Sequence, residues 1–340
     1  MINKTHTPSK IRSVAVIGSG LAGLTSALLL QQNGLEVTVF EKSRGPGGRL
    51  AAKRVVGGSA DIGAQFFTIR NPAFRQFLDQ NAGPGAYAPW QGRFGYQQAS
   101  GEWDPFPEEE RYVGVPRMTA ISRGLSENIN LVAETRINRV ERSSAGWTLA
   151  ATSGENSGPF DAVVITAPPA QAQDLLADSD LPQLAAGLDE PVRQVQPCWA
   201  VAAHFSEPPF ERFDGMRVHS EILSWVANNS SKPGRDGPGQ WWVLHATSEW
   251  SHANVDAPSK DVASRMVREF QAVTGAQASP EDLVTHRWLY AKSSDPASPG
   301  FCWFENDRIG LAGDWLAGGR VEGAFNSASA LVKALTADPA

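Results

Sequence analysis

The first strong pattern in the chain is a short unbroken apolar run, Val14 to Ile17. Its length and continuity predict a strand buried on both faces. A glycine-rich turn follows. Then comes an Ala/Leu-rich stretch, Leu21 to Leu30, with helical composition and a stop at Asn33-Gly34. A second apolar run, Glu36-Val-Thr-Val-Phe-Glu41, predicts another strand. Strand, helix and strand in this order predict a βαβ unit with parallel strands. Residues 71–125 look irregular, with Asn81-Ala-Gly-Pro-Gly-Ala, Trp90, Trp103 and Pro105-Phe-Pro-Glu-Glu-Glu110. Their interleaved aromatics suit an excursion over another lobe better than a linker. Pro116 to Leu125 reads as a short helix. Strands are predicted at Ile129–Val132, Arg136–Glu141, Trp147–Ala151 and Ala162–Ala167, with turns at Ser143–Gly146 and Ser153–Gly158. The last is continuously apolar and ends at Pro168-Pro169. Between 190 and 290 the pattern gives strands Cys198–Phe205, Ile222–Ala227 and Trp241–Ala246, and a helix over 259–273. Arg308 to Asp314 is a strand ending in Gly-Asp, and Glu322 to Leu335 a helix. Both ends are therefore α/β, with mixed β material between, and no repeat or low-complexity tract interrupts them.

Composition narrows the classes. With 340 residues the chain exceeds one ordinary hydrophobic core, so two lobes are expected. A hydrophobic content of 41% with 19% charged residues is that of a globular protein. The net charge of −6 and the lack of a long basic run give nucleic-acid binding no electrostatic support. No apolar stretch is long enough to span a bilayer. Residues 1–10 lack an apolar signal core and read as a short disordered lead-in. The two cysteines, Cys198 and Cys302, argue against a disulfide framework and for a reducing, cytoplasmic setting. Neither has metal-like spacing with histidine, so no metal is expected. Eleven tryptophans can supply core, or flat walls for an aromatic ligand. Nothing in the pattern specifies an oligomeric state.

The turn between the first strand and helix carries Gly18, Gly20 and Gly23 as G-x-G-x-x-G, with Ser19, Leu21 and Ala22 between and around them. Gly18 permits the tight turn, Gly20 lets backbone N–H groups approach a pyrophosphate, and Gly23 lets helix and strand pack closely. Glu41 stands where a carboxylate accepts hydrogen bonds from a ribose diol. The motif alone leaves NAD and FAD open, and an ordinary βα turn shares its composition. A 2′-phosphate would meet Glu41, which disfavours NADP at this site. A second glycine loop follows at once, Glu41-Lys-Ser-Arg-Gly-Pro-Gly-Gly-Arg-Leu50. From it Arg49 can reach back over the pyrophosphate with a charge-assisted contact.

This combination resembles the two-domain flavoprotein superfamily that includes the amine oxidases, whose N-terminal signature is G-x-G-x-x-G, an acidic residue and G-G-R. Further segments resemble its bacterial renalase-like branch: Asp61-Ile-Gly-Ala-Gln-Phe-Phe-Thr68, Ser231-Lys-Pro-Gly-Arg-Asp236, Leu244-His-Ala-Thr-Ser-Glu-Trp250, His286-Arg-Trp-Leu-Tyr-Ala291, Ala312-Gly-Asp-Trp315 and Gly319-Arg-Val-Glu-Gly-Ala324. The resemblance spans residues 12–335. Pro46 and Leu50 depart from the Ser and Met of the G-G-R loop, leaving Gly47, Gly48 and Arg49 intact. The resemblance implies a p-hydroxybenzoate hydroxylase-like fold with non-covalent FAD. The Rossmann-type FAD-binding domain would be discontinuous (11–75, 117–180 and 301–340), beside a mixed-sheet α+β substrate domain (76–116 and 181–300). It also implies an oxidase of isomeric dihydronicotinamide dinucleotides (2- or 6-dihydro-NAD(P)). Hydride passes to the flavin and then to O2, giving NAD(P)+ and hydrogen peroxide. A flavin amine oxidase or desaturase acting on a small apolar metabolite is the alternative, and a scaffold without turnover a third reading.

On these terms Gly18, Ser19, Gly20, Leu21, Ala22, Gly23, Glu41, Lys42, Gly48 and Arg49 are candidates for the cofactor's dinucleotide part. Ile137 and Ala167 would bring strand backbone to it. Gly313 and Asp314 would meet ribityl or pyrophosphate, although Asp is also a common helix cap. Arg320, Val321 and Glu322 open a helix whose N-terminus would face the flavin N1/C2=O edge. Gly63 and Ala64 allow close approach to the ring, with Gln65 and Phe66 beside them. For the substrate pocket the candidates are His245, Arg287, Trp288, Tyr290, Trp225 and Gln65, with Trp242 as a weaker one. Lys232 and Arg235 face either substrate phosphates or solvent. Amine oxidases carry a lysine near flavin N5, and Lys292 is the lysine in a suggestive place. No catalytic acid or base is assigned, because a dihydropyridine donates hydride without one.

Overall fold

The computed structural model describes residues 10–293 and 299–337; most of the lead-in lies outside them. Strand β1 (Ser13–Ile17), helix α1 (Leu21–Gln32) and strand β2 (Glu36–Phe40) form the expected βαβ unit. It is the centre of a six-stranded sheet ordered 302–304, 309–311, 162–165, 13–17, 36–40, 130–132. All neighbours are parallel except the first pair. β1 explains its own central place: alternate side chains point to opposite faces, and both faces are covered. Val14 and Val16 pack with α1 and the helix Val321–Leu335 on one side. Ala15 and Ile17 meet Trp147, Leu175 and Trp315 on the other. Trp147 comes from a three-stranded meander, 137–160, that crosses back to the sheet.

A second, seven-stranded mixed sheet runs 282–293, 195–205, 240–246, 223–228, 215–217, 94–97, 103–105. One face packs the amphipathic helix Ser259–Thr274 through Trp199, Trp242, Leu244 and Phe270. The other, lined by Ala200, Ala202, Trp241 and Val243, lies against Ala60 and Ile62. The α/β class with a second mixed sheet is thus the architecture.

The stretch 71–125 is more ordered than expected. It holds helix α2 (Pro72–Asn81) and short strands at 87–89, 94–97, 103–105 and 112–114. α2 starts on Asn71, whose side chain accepts the Ala73 N–H at 3.0 Å, with proline in the first turn. A helix over Pro169–Asp178 and a long edge strand over Asp282–Ser293 are also additions. Both cysteines are free. Among the described residues no helix is long and apolar enough to cross a membrane, and no group of three or more His, Cys, Asp or Glu is placed to hold a metal ion.

Candidate functional site

The phosphate end is built from close backbone contacts. A Cβ on Gly23 would stand 2.0 Å from the Gly18 carbonyl oxygen, so only glycine keeps this helix against its strand. Gly18 has φ of +103°, a region open mainly to glycine. Above Gly20 a Cβ would meet nothing within 4 Å, and α1 has no side-chain cap there. A helix N-terminus with open space above it and uncapped N–H groups fits a pyrophosphate. Gly48 lays the second glycine loop over the first, its Cβ position 3.2 Å from Gly20 Cα, and Gly47 N–H donates to the Ser19 carbonyl at 3.1 Å.

Glu41 is buried at the end of β2. Its carboxylate accepts from Ser19 N–H at 3.0 Å, Ser19 Oγ at 2.7 Å and Ser43 N–H at 2.8 Å. These bonds fix the carboxylate and leave lone pairs for a ribose diol. Lys42 leans away to Gln171 at 3.0 Å; burial and the charge of Arg136 lower its pKa. Arg49 forms a two-pronged ion pair with Asp314, one arm at 2.9 Å, joining the second glycine loop to the turn after strand Ile309–Leu311. Trp315 Nε1 donates to the Ala167 carbonyl at 3.2 Å. Gly313 N–H donates to Ser327 Oγ at 3.0 Å. Arg320 precedes the uncapped N-terminus of the helix beginning at Val321. Glu322 turns elsewhere: its carboxylate accepts the N–H groups of Arg70 and Asn71 and anchors the entry to α2. Ile137 is in the core cluster with Ile17 and Phe40.

The ring end is organised by residues 61–66. Gly63 is pressed between Arg49 and Trp288; its Cβ position lies 2.1 Å from the Arg49 carbonyl and 3.4 Å from the Trp288 ring. Ala64 N–H donates to that carbonyl at 3.0 Å. Trp288 Nε1 and His245 Nε2 both approach the Ile62 carbonyl at 3.0 Å, so both donate to it when His245 is the neutral Nε2–H tautomer. His245 is neutral because enclosure, then the charge of Lys292, lower its pKa to about 3. Trp225 is the cross-strand partner of His245 and packs on Phe66 at 5.3 Å. Tyr290 lies two residues beyond Trp288, where the strand shifts register against Val195–Phe205.

Four expectations are corrected. Arg287 is on the opposite face of its strand, stacked over Trp199 at 5.8 Å and bonded to the Val255 carbonyl and Asp256. Period-two alternation separates it from Trp288. Trp242 points the same way and is core against Phe270. Gln65 does not present its amide outward: Nε2 donates to the Asp61 and Gly63 carbonyls, and Oε1 accepts from Lys232 at 3.2 Å. Lys232 and Arg235 face neither solvent nor open cleft. Both are buried against Asp61, the lysine at 3.3 Å. Burial pushes the Asp61 carboxyl up, but Lys232 and Arg235 outweigh it and hold its pKa low.

The neutral His245 sets a pH dependence. Its folded pKa is about 3 and an unfolded imidazole titrates near 6.5. Between those values the unfolded chain binds a proton that the folded chain refuses, so stability falls as pH drops through that window. A His245→Gln variant should lose on the order of a few kcal/mol less between pH 6.5 and 4 than the parent, read from urea midpoints.

An open helix N-terminus and a buried carboxylate fixed at the end of the second strand fit a dinucleotide cofactor. The chain belongs to the flavin containing amine oxidoreductase family, whose model matches residues 109–335; an NAD(P)-binding Rossmann-like model matches 16–80. Its cofactor is FAD, which the uncapped glycine turn fits. Hydroxyneurosporene desaturase of Rubrivivax gelatinosus is 46% identical over 63 residues, 18% of this chain and 12% of that protein. Coproporphyrinogen III oxidase of Staphylococcus aureus is 40% identical over 61 residues, 17% of this chain and 13% of its own length. These matches span about an eighth of the relatives. Wild-type putrescine oxidase bound to putrescine shares the fold with a TM-score of 0.71 at 13% identity, covering 96% of this chain and 99% of that one. Cyclohexylamine oxidase from Brevibacterium oxydans gives 0.70 at 12% identity, covering 96% and 98%.

Proposed function

We propose that this protein is an FAD-dependent oxidase or desaturase that removes hydride from a small, flat and largely apolar substrate, uncharged when it reacts. FAD is held non-covalently by a cofactor lobe comprising residues 11–75, 117–180 and 301–340. The substrate lobe is 76–116 and 181–300. The observation that carries this reading is the character of the inner sheet face. Trp225, His245 and Trp288 share it, and the inner positions 284, 286 and 288 hold Val, His and Trp but no acid. Asp61, the carboxylate built into this region, is already paired with two cations. Among the described residues a protonated amine would find no free counterion on that face, whereas a neutral amine or an unsaturated carbon skeleton would find aromatic walls. Flavin supplies the hydride acceptor. The protein supplies orientation and water exclusion: Trp288 and His245 fix the 62–63 backbone, and the uncapped helix at Val321 favours negative charge on the acceptor.

A second reading rests on Lys292, which is exposed beside that face with no carboxylate partner among the described residues. A free ammonium beside flat aromatics also suits an isomeric dihydronicotinamide dinucleotide, as the renalase-like resemblance implies, with NAD(P)+ and, through O2, hydrogen peroxide as products. Anaerobic stopped-flow bleaching of the flavin separates the two. The first reading expects rapid bleaching by cyclohexylamine at high pH or by an apolar polyene. Bleaching by 2- or 6-dihydro-NAD(P) with neither of those active overturns it and leaves the second.

A further inference from the structure

Lys232 and Arg235 sit in the loop between strands Leu223–Asn228 and Gln240–Ala246, and Asp61 ends a strand of the facing hairpin. The side chains of Lys232 and Asp61 are 0% exposed and that of Arg235 is 3%. Asp61 is further fixed by Met118 N–H at 2.9 Å and by its own N–H donating to Asn229 Oδ1 at 3.1 Å. A lock between lobes needs one cation for one carboxylate, and Arg235 with Asp61 already makes that pair. Lys232 adds a second buried cation, and no second carboxylate bonds to it among the described residues. The surroundings do not balance it. Arg117 is near enough to feel the charge of Asp61, His245 is neutral, and Trp90 offers a ring face at 5.3 Å. A surplus buried charge is costly unless something anionic comes to meet it.

The surplus points one way. Lys232 Nζ donates to Gln65 Oε1, and the same amide donates to the Gly63 carbonyl at 3.1 Å. Beside it, the backbone N–H groups of Gln65 and Phe66 have no protein partner among the described residues, unlike Ala64 N–H and Phe67 N–H on either side. Two free adjacent donors backed by a buried cation form a place for the acceptor edge of a ligand that gains negative charge.

We infer that Lys232 is a positioning residue of the redox site: anchored by Asp61 and bridged by Gln65, it orders residues 63–66 and stabilises the reduced, anionic flavin. This rests on the reading that the flavin ring lies against those residues. On reduction, two electrons and one proton enter the neutral ring and leave one negative charge on it. Lys232 favours that charged product over the neutral oxidised ring. Burial and the nearby Arg235 lower the Lys232 pKa to about 8, while Asp61 holds it up, so the lysine is cationic at neutral pH.

The test uses the full FAD-loaded chain, equilibrated at pH 7 with dithionite and a reference dye. Lys232→Met, which keeps the Arg235–Asp61 pair, is expected to shift the two-electron equilibrium at least tenfold toward oxidised flavin, about 30 mV. Lys232→Arg is expected to recover most of that shift. Above about pH 8 the parent should take up an extra proton on reduction, and Lys232→Met should not. If the Met variant is unstable, Lys232→Gln is compared with Lys232→Arg in the same assay. A neutral variant that retains flavin with an unchanged potential and pH slope overturns the inference and reduces Lys232 to a lock between lobes. A parent chain that binds no flavin refutes the cofactor reading instead, which the flavin absorbance shows before any titration.

Discussion

A Gly23→Ala chain should purify almost colourless. The added methyl carbon would stand 2.0 Å from the Gly18 carbonyl oxygen and 2.8 Å from Thr166 Oγ1. Neither can retreat: Gly18 N–H is bonded to the Phe40 carbonyl at 2.9 Å, and the Thr166 hydroxyl to the Ile17 carbonyl at 3.0 Å. Helix α1 must therefore lift from β1 and β2, at a cost of about 1–3 kcal/mol for overpacking. The same movement takes the open N–H groups at Gly20 away from the line between Glu41 and Arg49, so several cofactor contacts are lost together. The ratio of flavin to protein absorbance after gel filtration should fall at least tenfold. Gly45→Ala is the control, since its Cβ would meet nothing within 4 Å and its φ is not positive. A Gly23→Ala protein with full flavin content would mean that the pyrophosphate is not held at this turn.

The largest loss of stability is expected at Asp61. Truncation to alanine leaves two buried cations unpaired and the Met118 N–H without its acceptor. Removing one partner of a buried ion pair costs about 3–5 kcal/mol, which a urea titration reads as a lower midpoint. The pH dependence carries a definite sign. The folded pKa of Asp61 is depressed, so its stabilisation is present above the unfolded carboxylate value, about 3.9, and disappears as pH falls through the lower folded value. Asp61→Asn should be less stable than the parent at pH 7, with the difference shrinking toward pH 2. A constant difference across that range would assign the effect to shape instead of charge.

The dinucleotide end was legible because its chemistry is local. Strand, turn, helix and carboxylate all lie within residues 13–41, and the expected strand Val14–Ile17 differs from the observed one by a single residue. The inner face of the mixed sheet was less legible because it depends on which strands exist. Without the strand Asp282–Ser293, nothing separates Arg287 from Trp288. Once the strand is known, alternation places one on each side. Helix α2 was missed although its signals are present: an Asn-Pro start, then Phe74, Phe77 and Leu78 at helical spacing. The surrounding glycines and prolines obscured them. The buried cluster was beyond any local pattern. Lys232 and Arg235 meet Asp61 across 171 and 174 positions, and their type alone suggested solvent or phosphate.

The ion pair between Arg49 and Asp314 spans 265 positions, and strand Ile309–Leu311 adds to the sheet beside residues 163–165. On the ribosome, this makes the nucleotide cradle a late structure. At about 5–20 residues per second, roughly 15–60 s separates synthesis of the first glycine turn from synthesis of its closing aspartate. For about the second half of that interval the apolar strand 162–165 exists without its neighbour 309–311, and that edge of the sheet is open to chaperones or to wrong partners. Cells that slow translation near the 3′ end of the message should therefore accumulate aggregated rather than merely inactive chain.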